Sequence, residues 1–412
     1  MTTRWAALAL CVWAALPAAA LAQTSRPPAA APPVLTLDRA ATPAFRETSG
    51  TLFENVVAIL QQRYVDETFR KQELPKIVAR YAERAKESRT LREQRQVVHD
   101  LLSNIPASHL GLLSKATHRA LMADLLRVAY PNFGFQLVGA GQDYYAGFVL
   151  EGGPALRSGL LTGDRIVTID GVPVAQSPRL DWRSDDAYLT DVRDPAIHQV
   201  LAAAGERISL GVERRLGEFV TVQIAAEEYS AFDAARASAR TIREGGRTFG
   251  YLHFWFVHMA GVPELLREKI DGEFKDADGL ILDLRGRGGS APEVTRIVAL
   301  VKSYLETTKK PVVALVDRQS RSGKDILAYE FKAIGVRLVG EASAGAVIPA
   351  MFADVGHDSV LMFPTFRLPG YTDKLEFKPV EPHVTVERAG MFAAGRDAIL
   401  EASVREILRL KI

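Results

Sequence analysis

Apolar residues three and four positions apart open the patterned part of the chain: Phe53, Val56, Val57, Leu60 and Tyr64 define one buried helical face. The Lys/Arg/Glu-rich stretch 80–95 mixes charge signs and reads as a solvated helix face. Val97, Val98, Leu101 and Leu102 repeat the helical spacing, and Ile105-Pro106 ends it, because proline lacks the N–H a helix needs. His109 therefore falls in a loop just past a helix. A further helical segment is expected over 113–128.

From Asn132 the period shortens to that of strands with glycine-rich turns. Phe133-Gly-Phe135 and Tyr145-Ala-Gly-Phe-Val-Leu150 are followed by Gly152-Gly-Pro-Ala-Leu-Arg-Ser-Gly159, a short helix begun by Pro154 and stopped by Gly159. Gly163-Asp-Arg-Ile-Val-Thr-Ile169 alternates, and Asp170-Gly171 predicts a tight hairpin turn. After Thr248, strands at 250–256, 279–284, 311–316 and 336–340 alternate with helices near 262–270, 292–305 and 324–334. Ser290 caps one helix and Gly335 stops another. Apolar strands joined by helices imply right-handed crossovers and a mainly parallel sheet covered on both faces.

Composition adds bounds. The 412 residues are too many for one ordinary domain. The net charge of +2 is spread without a basic block, so no nucleic-acid partner is implied. Arg4, the apolar run from Trp5 to Ala20 and Ala20-Leu-Ala22 have the form of an export signal cleaved before Gln23, so residues 1–22 are expected to leave and no stable membrane insertion to follow. The Pro/Ala-rich stretch 23–48 reads as a disordered tether. Cys11, the only cysteine, lies in the signal, which leaves no thiolate for catalysis or metal binding. No His/Asp/Glu group has metal-ligand spacing. No Gly-Lys-Ser/Thr follows Arg285-Gly-Arg-Gly-Gly289, and no cofactor is expected.

The chemistry gathers where strands end. Ser322 follows the buried run Pro311-Val-Val-Ala-Leu-Val316 and opens a helix, either as a cap or as a nucleophile at a helix N-terminus, where developing negative charge is favoured. The glycine turn 285–289 lies at another strand end, where catalytic groups of such sheets collect. His109 is either an ordinary loop histidine or a base. His253 and His258 stand in a Phe/Trp-rich strand region and read as packed.

Residues 132–227 resemble a PDZ domain, on the strength of the run Gly152 to Val174. The resemblance implies that Phe133, Gly134 and Phe135 present amides to a peptide's C-terminal carboxylate while the peptide adds a strand to the sheet edge. More broadly, Asp283-Leu-Arg-Gly-Arg-Gly-Gly289, Ser322-Gly-Lys-Asp-Ile-Leu-Ala328 and Val339-Gly-Glu-Ala-Ser-Ala-Gly345 resemble the tail-specific, or C-terminal processing, serine proteases. That family's general-base lysine is missing: Gly340-Glu-Ala-Ser-Ala-Gly-Ala346 carries Ala346 in its place. Ala107-Ser-His109 and the late Leu375-Glu376 are similar instead to the tricorn-core branch, which uses a Ser-His-Glu set.

The resemblance implies an α+β multidomain chain: an N-terminal helical unit at 49–131, the PDZ module at 132–227 and an α/β core at 228–412 built of crotonase- and ClpP-like βαβ units. It implies an exported, periplasmic serine endopeptidase acting on protein or peptide C-termini, with Ser322 as nucleophile, His109 as base and Glu376 orienting it directly or through Ser108. Amides of Gly288, Gly289 and Gly323 would hold the oxyanion. Lys324 is the alternative base, although two residues along a helix point to different faces. Arg287 in place of the family's asparagine keeps open a silent binding or scaffold protein on the same fold.

Overall fold

The computed structural model describes residues 50–184, 197–257, 261–286, 288–289 and 291–410. The expected signal and tether, His258, Arg287 and the cap at Ser290 lie outside these residues. The described part belongs to a unit beginning at Glu47.

A capping box starts the first helix, Leu52–Arg63: Thr51 and Glu54 exchange side-chain and main-chain hydrogen bonds. Helices Glu67–Gln72, Leu74–Glu87 and Leu91–Leu102 follow. The expected continuous helix face over 80–95 is broken, because Thr90 accepts from Glu93 N–H while the Glu93 carboxylate accepts from Arg89 and Thr90 N–H. A second capping box thus begins a new helix at Leu91. The segment expected to be helical from Leu113 also differs. Gly111–Ser114 is a strand, and the helix Lys115–Leu126 starts only after Ser114 caps it. The cause is remote: Gly111–Ser114 pairs antiparallel with Ser359–Pro364, which pairs in turn with Ala350–Gly356. Leu112, Leu361 and Phe363 then pack with Val56, Leu60 and Leu101 in one core.

Strands between Phe135 and Ala225 form a separate antiparallel sheet. Its strands run, across the sheet, Glu218–Ala225, Arg207–Arg215, Arg165–Ile169, Asp143–Val149, Phe135–Ala140 and Ile197–Gln199. The helix Pro154–Arg157 and the turn at Asp170-Gly171 stand where the sequence places them.

A six-stranded sheet carries the remainder, in the order Arg240–Glu244, Arg247–His253, Gly279–Asp283, Val312–Val316, Arg337–Gly340 and Val384–Thr385. The first pair is antiparallel and the others parallel. Alternate residues serve opposite faces. Leu280, Leu282, Ala314 and Leu338 pack on helices Val262–Asp271, Ala291–Thr308 and Gly323–Ala333. Ile281, Val313, Leu315 and Val339 pack on helix Ala398–Arg409. Two covered faces explain the unbroken apolar runs, and the strand C-terminal ends are left to carry the 285–289 turn and Ser322.

Candidate active site

Ser322 leads into helix Gly323–Ala333 with φ 59° and ψ −125°. A non-glycine residue there is strained, as at other sharp strand-to-helix turns that expose a side chain. The strain is held by neighbours: Ser322 N–H donates to Ala346 O at 2.8 Å. Ala346 N–H donates to Asp325 at 2.9 Å, together with Gly345 N–H at 2.9 Å and the Ser343 hydroxyl at 2.5 Å. Burial pushes the Asp325 carboxyl up to about 6 against these three donors. The Ser322 hydroxyl lies 3.5 Å from the Gly289 carbonyl oxygen. Its side chain makes no cap bond to its own helix.

The loop after Leu91–Leu102 brings His109 to the same region with φ 53°. Ser108 Oγ lies 3.0 Å from His109 Nδ1 and donates to Glu376 Oε2 at 3.1 Å, while Ser108 N–H donates to Glu376 Oε1 at 2.9 Å. Val347 and Ile348 N–H also donate to Glu376 Oε2, at 2.9 and 3.0 Å. Glu376 therefore reaches His109 through Ser108. With the single Ser108 proton on the carboxylate, a neutral His109 that carries its proton on Nδ1 donates it to Ser108 Oγ and keeps Nε2 as the basic nitrogen, whereas a lone pair on Nδ1 would instead accept from Arg321 Nη2. Ser322 is tied to Ala346 and Glu376 to Val347, so nucleophile segment and carboxylate brace adjacent residues of one loop.

Lys324 does something else. Its fully buried ammonium donates to Arg285 O at 2.8 Å and to Trp255 O and Gly286 O at 3.2 Å each. Burial, chiefly, lowers its pKa to about 7, with Asp317 and Asp283 opposing. It holds the main chain of the 285–289 turn. Asp317 assists by accepting Gly286 N–H at 3.1 Å, and Arg285 is clamped between Asp283 and Asp397. Gly288 has φ 87°, and a Cβ there would run into the Phe256 ring, so the turn needs glycine for both reasons. Gly323 is the first residue of its helix, where N–H groups have no acceptor within the helix.

The residues expected to bind a peptide terminus stand at the start of the β-module, where Gly134 N–H has an acceptor within the chain. Phe133 is buried in the core of the β-module. Gly134 N–H donates to Asn132 Oδ1 at 2.8 Å, and Asn132 Nδ2 donates to Tyr130 O and Tyr229 O. Phe135 pairs with Val149. On the other edge, Gln136, Leu137 and Val138 pair with Gln199, His198 and Ile197. Asp325 and Arg321 were not singled out by the sequence. Arg321, with Nη2 3.4 Å from His109 Nδ1, adjoins Ser322, and that adjacency was its only signal.

Residues 302–386 match the model of peptidase family S41. The chain carries a peptidase S41 domain. Its class is accordingly serine peptidase, a hydrolase of protein or peptide substrates. The solved photosystem II D1 C-terminal processing protease shares the fold at 18% identity and TM-score 0.50, over 84% of this chain and 97% of that one. The tricorn protease aligns at 16% identity and TM-score 0.47, over 87% of this chain and 36% of that one. A Bacteroides fragilis protein described as an S41 protease aligns at 13% and 0.48, over 87% and 97%. No curated protein matches the sequence. Among the described residues of this S41-domain chain, no helix is long and apolar enough to cross a membrane.

Proposed function

We propose that this chain is an exported serine endopeptidase that engages protein C-termini through a PDZ-type module at 132–227 and cleaves by acyl-enzyme chemistry in a crotonase-like core. The observation that carries the reading is the Glu376–Ser108–His109 chain, whose His109 Nδ1 lies 3.4 Å from Nη2 of Arg321, the residue before the strained Ser322. In the proposed reaction His109 Nε2 takes the Ser322 hydroxyl proton as Oγ attacks the scissile carbonyl. The Glu376 carboxylate stabilises the resulting imidazolium through Ser108, and amides of Gly288, Gly289 and Gly323 receive the oxyanion. The imidazolium then gives its proton to the leaving amine, and water repeats the sequence on the ester.

A peptide adding to strand Phe135–Ala140 has to displace Ile197–Gln199 from its edge. Its carboxylate has to take Gly134 N–H from Asn132. Export rests on Ala20-Leu-Ala22, and N-terminal sequencing of the protein from its host checks it, with Gln23 as the expected first residue. The central test is labelling by a fluorophosphonate: an adduct on Ser322 that is lost in Ser322→Ala and strongly reduced in His109→Ala is expected. Absence of any adduct, with a folded protein, overturns the assignment. For the module, an amidated peptide should bind more weakly than the free acid, and equal affinity removes C-terminal recognition.

A further inference from the structure

The outer edge of strand Phe135–Ala140, where a substrate's last residues are expected to add, is taken by the chain itself. Ile197–Gln199 pairs with it antiparallel, Gln199 opposite Gln136 and Ile197 opposite Val138. A peptide whose carboxylate sits at Gly134 and which adds to Phe135–Ala140 has to run antiparallel to that strand, its C-terminal end toward Gly134. Ile197–Gln199 runs in that same direction. Ile197 packs against Val138 and Phe148, as an apolar side chain of a bound peptide would.

A strap holds this short strand from behind. Asp181 N–H donates to Gln199 O at 2.9 Å and Leu201 N–H to Arg179 O at 2.7 Å, with Leu180 bridged to Val200. The strap is fastened outside the module. The buried Asp181 carboxylate accepts from the Ser114 and Thr117 hydroxyls. Trp182 packs on the N-terminal core with the Arg95 guanidinium over its ring. Arg183–Ser184 pairs with Leu113 and Leu112, shortly after His109. Gln199 itself lines the same cavity as Gln136 and His109.

We propose that residues 197–199 are a built-in competitor for the peptide edge, held there by 179–184, and that a substrate terminus binds only in the fraction of molecules in which they have left it. The inference deepens the PDZ-type reading of 132–227 and rests on it, because it assigns how that same edge is regulated. Apparent affinity is then the intrinsic affinity reduced by the open fraction, and loosening the competitor tightens binding. A strand with only a structural role behaves in the opposite way, since disturbing it weakens the sheet that the peptide joins.

The probe is a fluorescein-labelled peptide, Ala-Ala-Ala-Ile-His-Gln-Val, which repeats 197–200 and ends in a free carboxylate. It is titrated by anisotropy against the full chain carrying Ser322→Ala and Cys11→Ser. The loosening variant is His198→Pro: Gln199 turns its main chain toward Asp181, so His198 turns its own toward Leu137, and proline removes that donor. It should bind the probe about tenfold more tightly than its parent. Gln136→Cys with Gln199→Cys, which stand opposite one another, locks the strand by a disulfide. The oxidised pair should bind about tenfold more weakly, with affinity recovered in dithiothreitol. A circular-dichroism melt confirms that each variant is folded, and the cross-linked pair decides alone if His198→Pro is not. The inference is overturned if His198→Pro binds no more tightly than its parent, or if oxidation leaves the affinity unchanged. Tighter binding in His198→Pro with the acid and amide forms of the probe alike would keep the competitor and remove C-terminal recognition, so the two readings fail separately.

Discussion

Ser108 gives Glu376 both of its hydrogen-bond donors, the main-chain N–H to Oε1 at 2.9 Å and the hydroxyl to Oε2 at 3.1 Å, across 268 residues of sequence. The pair locks a loop of the N-terminal region to the segment after the last long hairpin. It also places the Ser108 oxygen against His109 Nδ1. Ser108→Ala should therefore lower kcat by roughly 10–100-fold, at or below the low end of the roughly 10²–10⁴-fold supplied by general acid–base groups themselves, because Ser108 acts through His109. Ser108→Thr, which keeps the hydroxyl, should restore much of it. Steady-state kinetics on a cleaved peptide decide this. Equal kcat in Ser108→Ala and the unmodified chain would remove Ser108 from the relay.

Glu376→Gln is expected to be more than a loss of charge. Glu376 accepts from Ser108 N–H, Ser108 Oγ, Val347 N–H and Ile348 N–H. Either orientation of a glutamine amide turns its NH2 toward a donor. An unsatisfied buried group costs about 1–3 kcal/mol, so the variant should unfold at lower urea as well as turn over more slowly. Urea melts and kcat measured together test it. An unchanged midpoint would show that the loop does not depend on the carboxylate.

Ser322→Ala and His109→Ala should each remove most peptidase activity while leaving the melting temperature close to that of the unmodified chain. The double variant should be little worse than either single one, because nucleophile and base act as a unit. Additive losses would contradict the pairing.

Lys324→Met should weaken activity through the turn it supports. Three carbonyls, Trp255 O, Arg285 O and Gly286 O, lose their donor. A drop of about 1–3 kcal/mol in unfolding free energy is expected alongside reduced turnover. Full stability with abolished turnover, in a chain where His109→Ala stays active, would instead make Lys324 the base.

Asp325 predicts a pH signature in stability. Its pKa is raised by burial from 3.8 to about 6, so the folded state holds the proton more tightly than the unfolded chain does. Its contribution is fully present below about pH 4 and is lost as pH rises through about 6, a total of roughly 3 kcal/mol at 1.36 kcal/mol per unit. Asp325→Asn does not titrate, so the stability difference between the two chains should shift in the variant's favour from pH 4 to pH 7. Urea unfolding at both values measures it, and a difference that stays constant would refute the linkage.

The sequence by itself determined the local elements: the helix beginning at Leu52, the short helix at Pro154, the parallel strands buried on two faces and the strand-to-helix turn at Ser322. These follow from side-chain periodicity and from Pro, Gly and capping residues, which act within a few positions of themselves. The same short range let it set His109 in a loop past a helix. Tertiary structure alone decided the rest. Gly111–Ser114 became a strand because a hairpin some 250 residues later offered it a partner, against a local pattern that continues as a helix. Only folding put Ser108 between His109 and Glu376, turned Lys324 toward three carbonyls, and closed the edge of Phe135–Ala140 with Ile197–Gln199. Hydrogen-bond partners and burial depend on which segments meet in space, and no period along the chain records that.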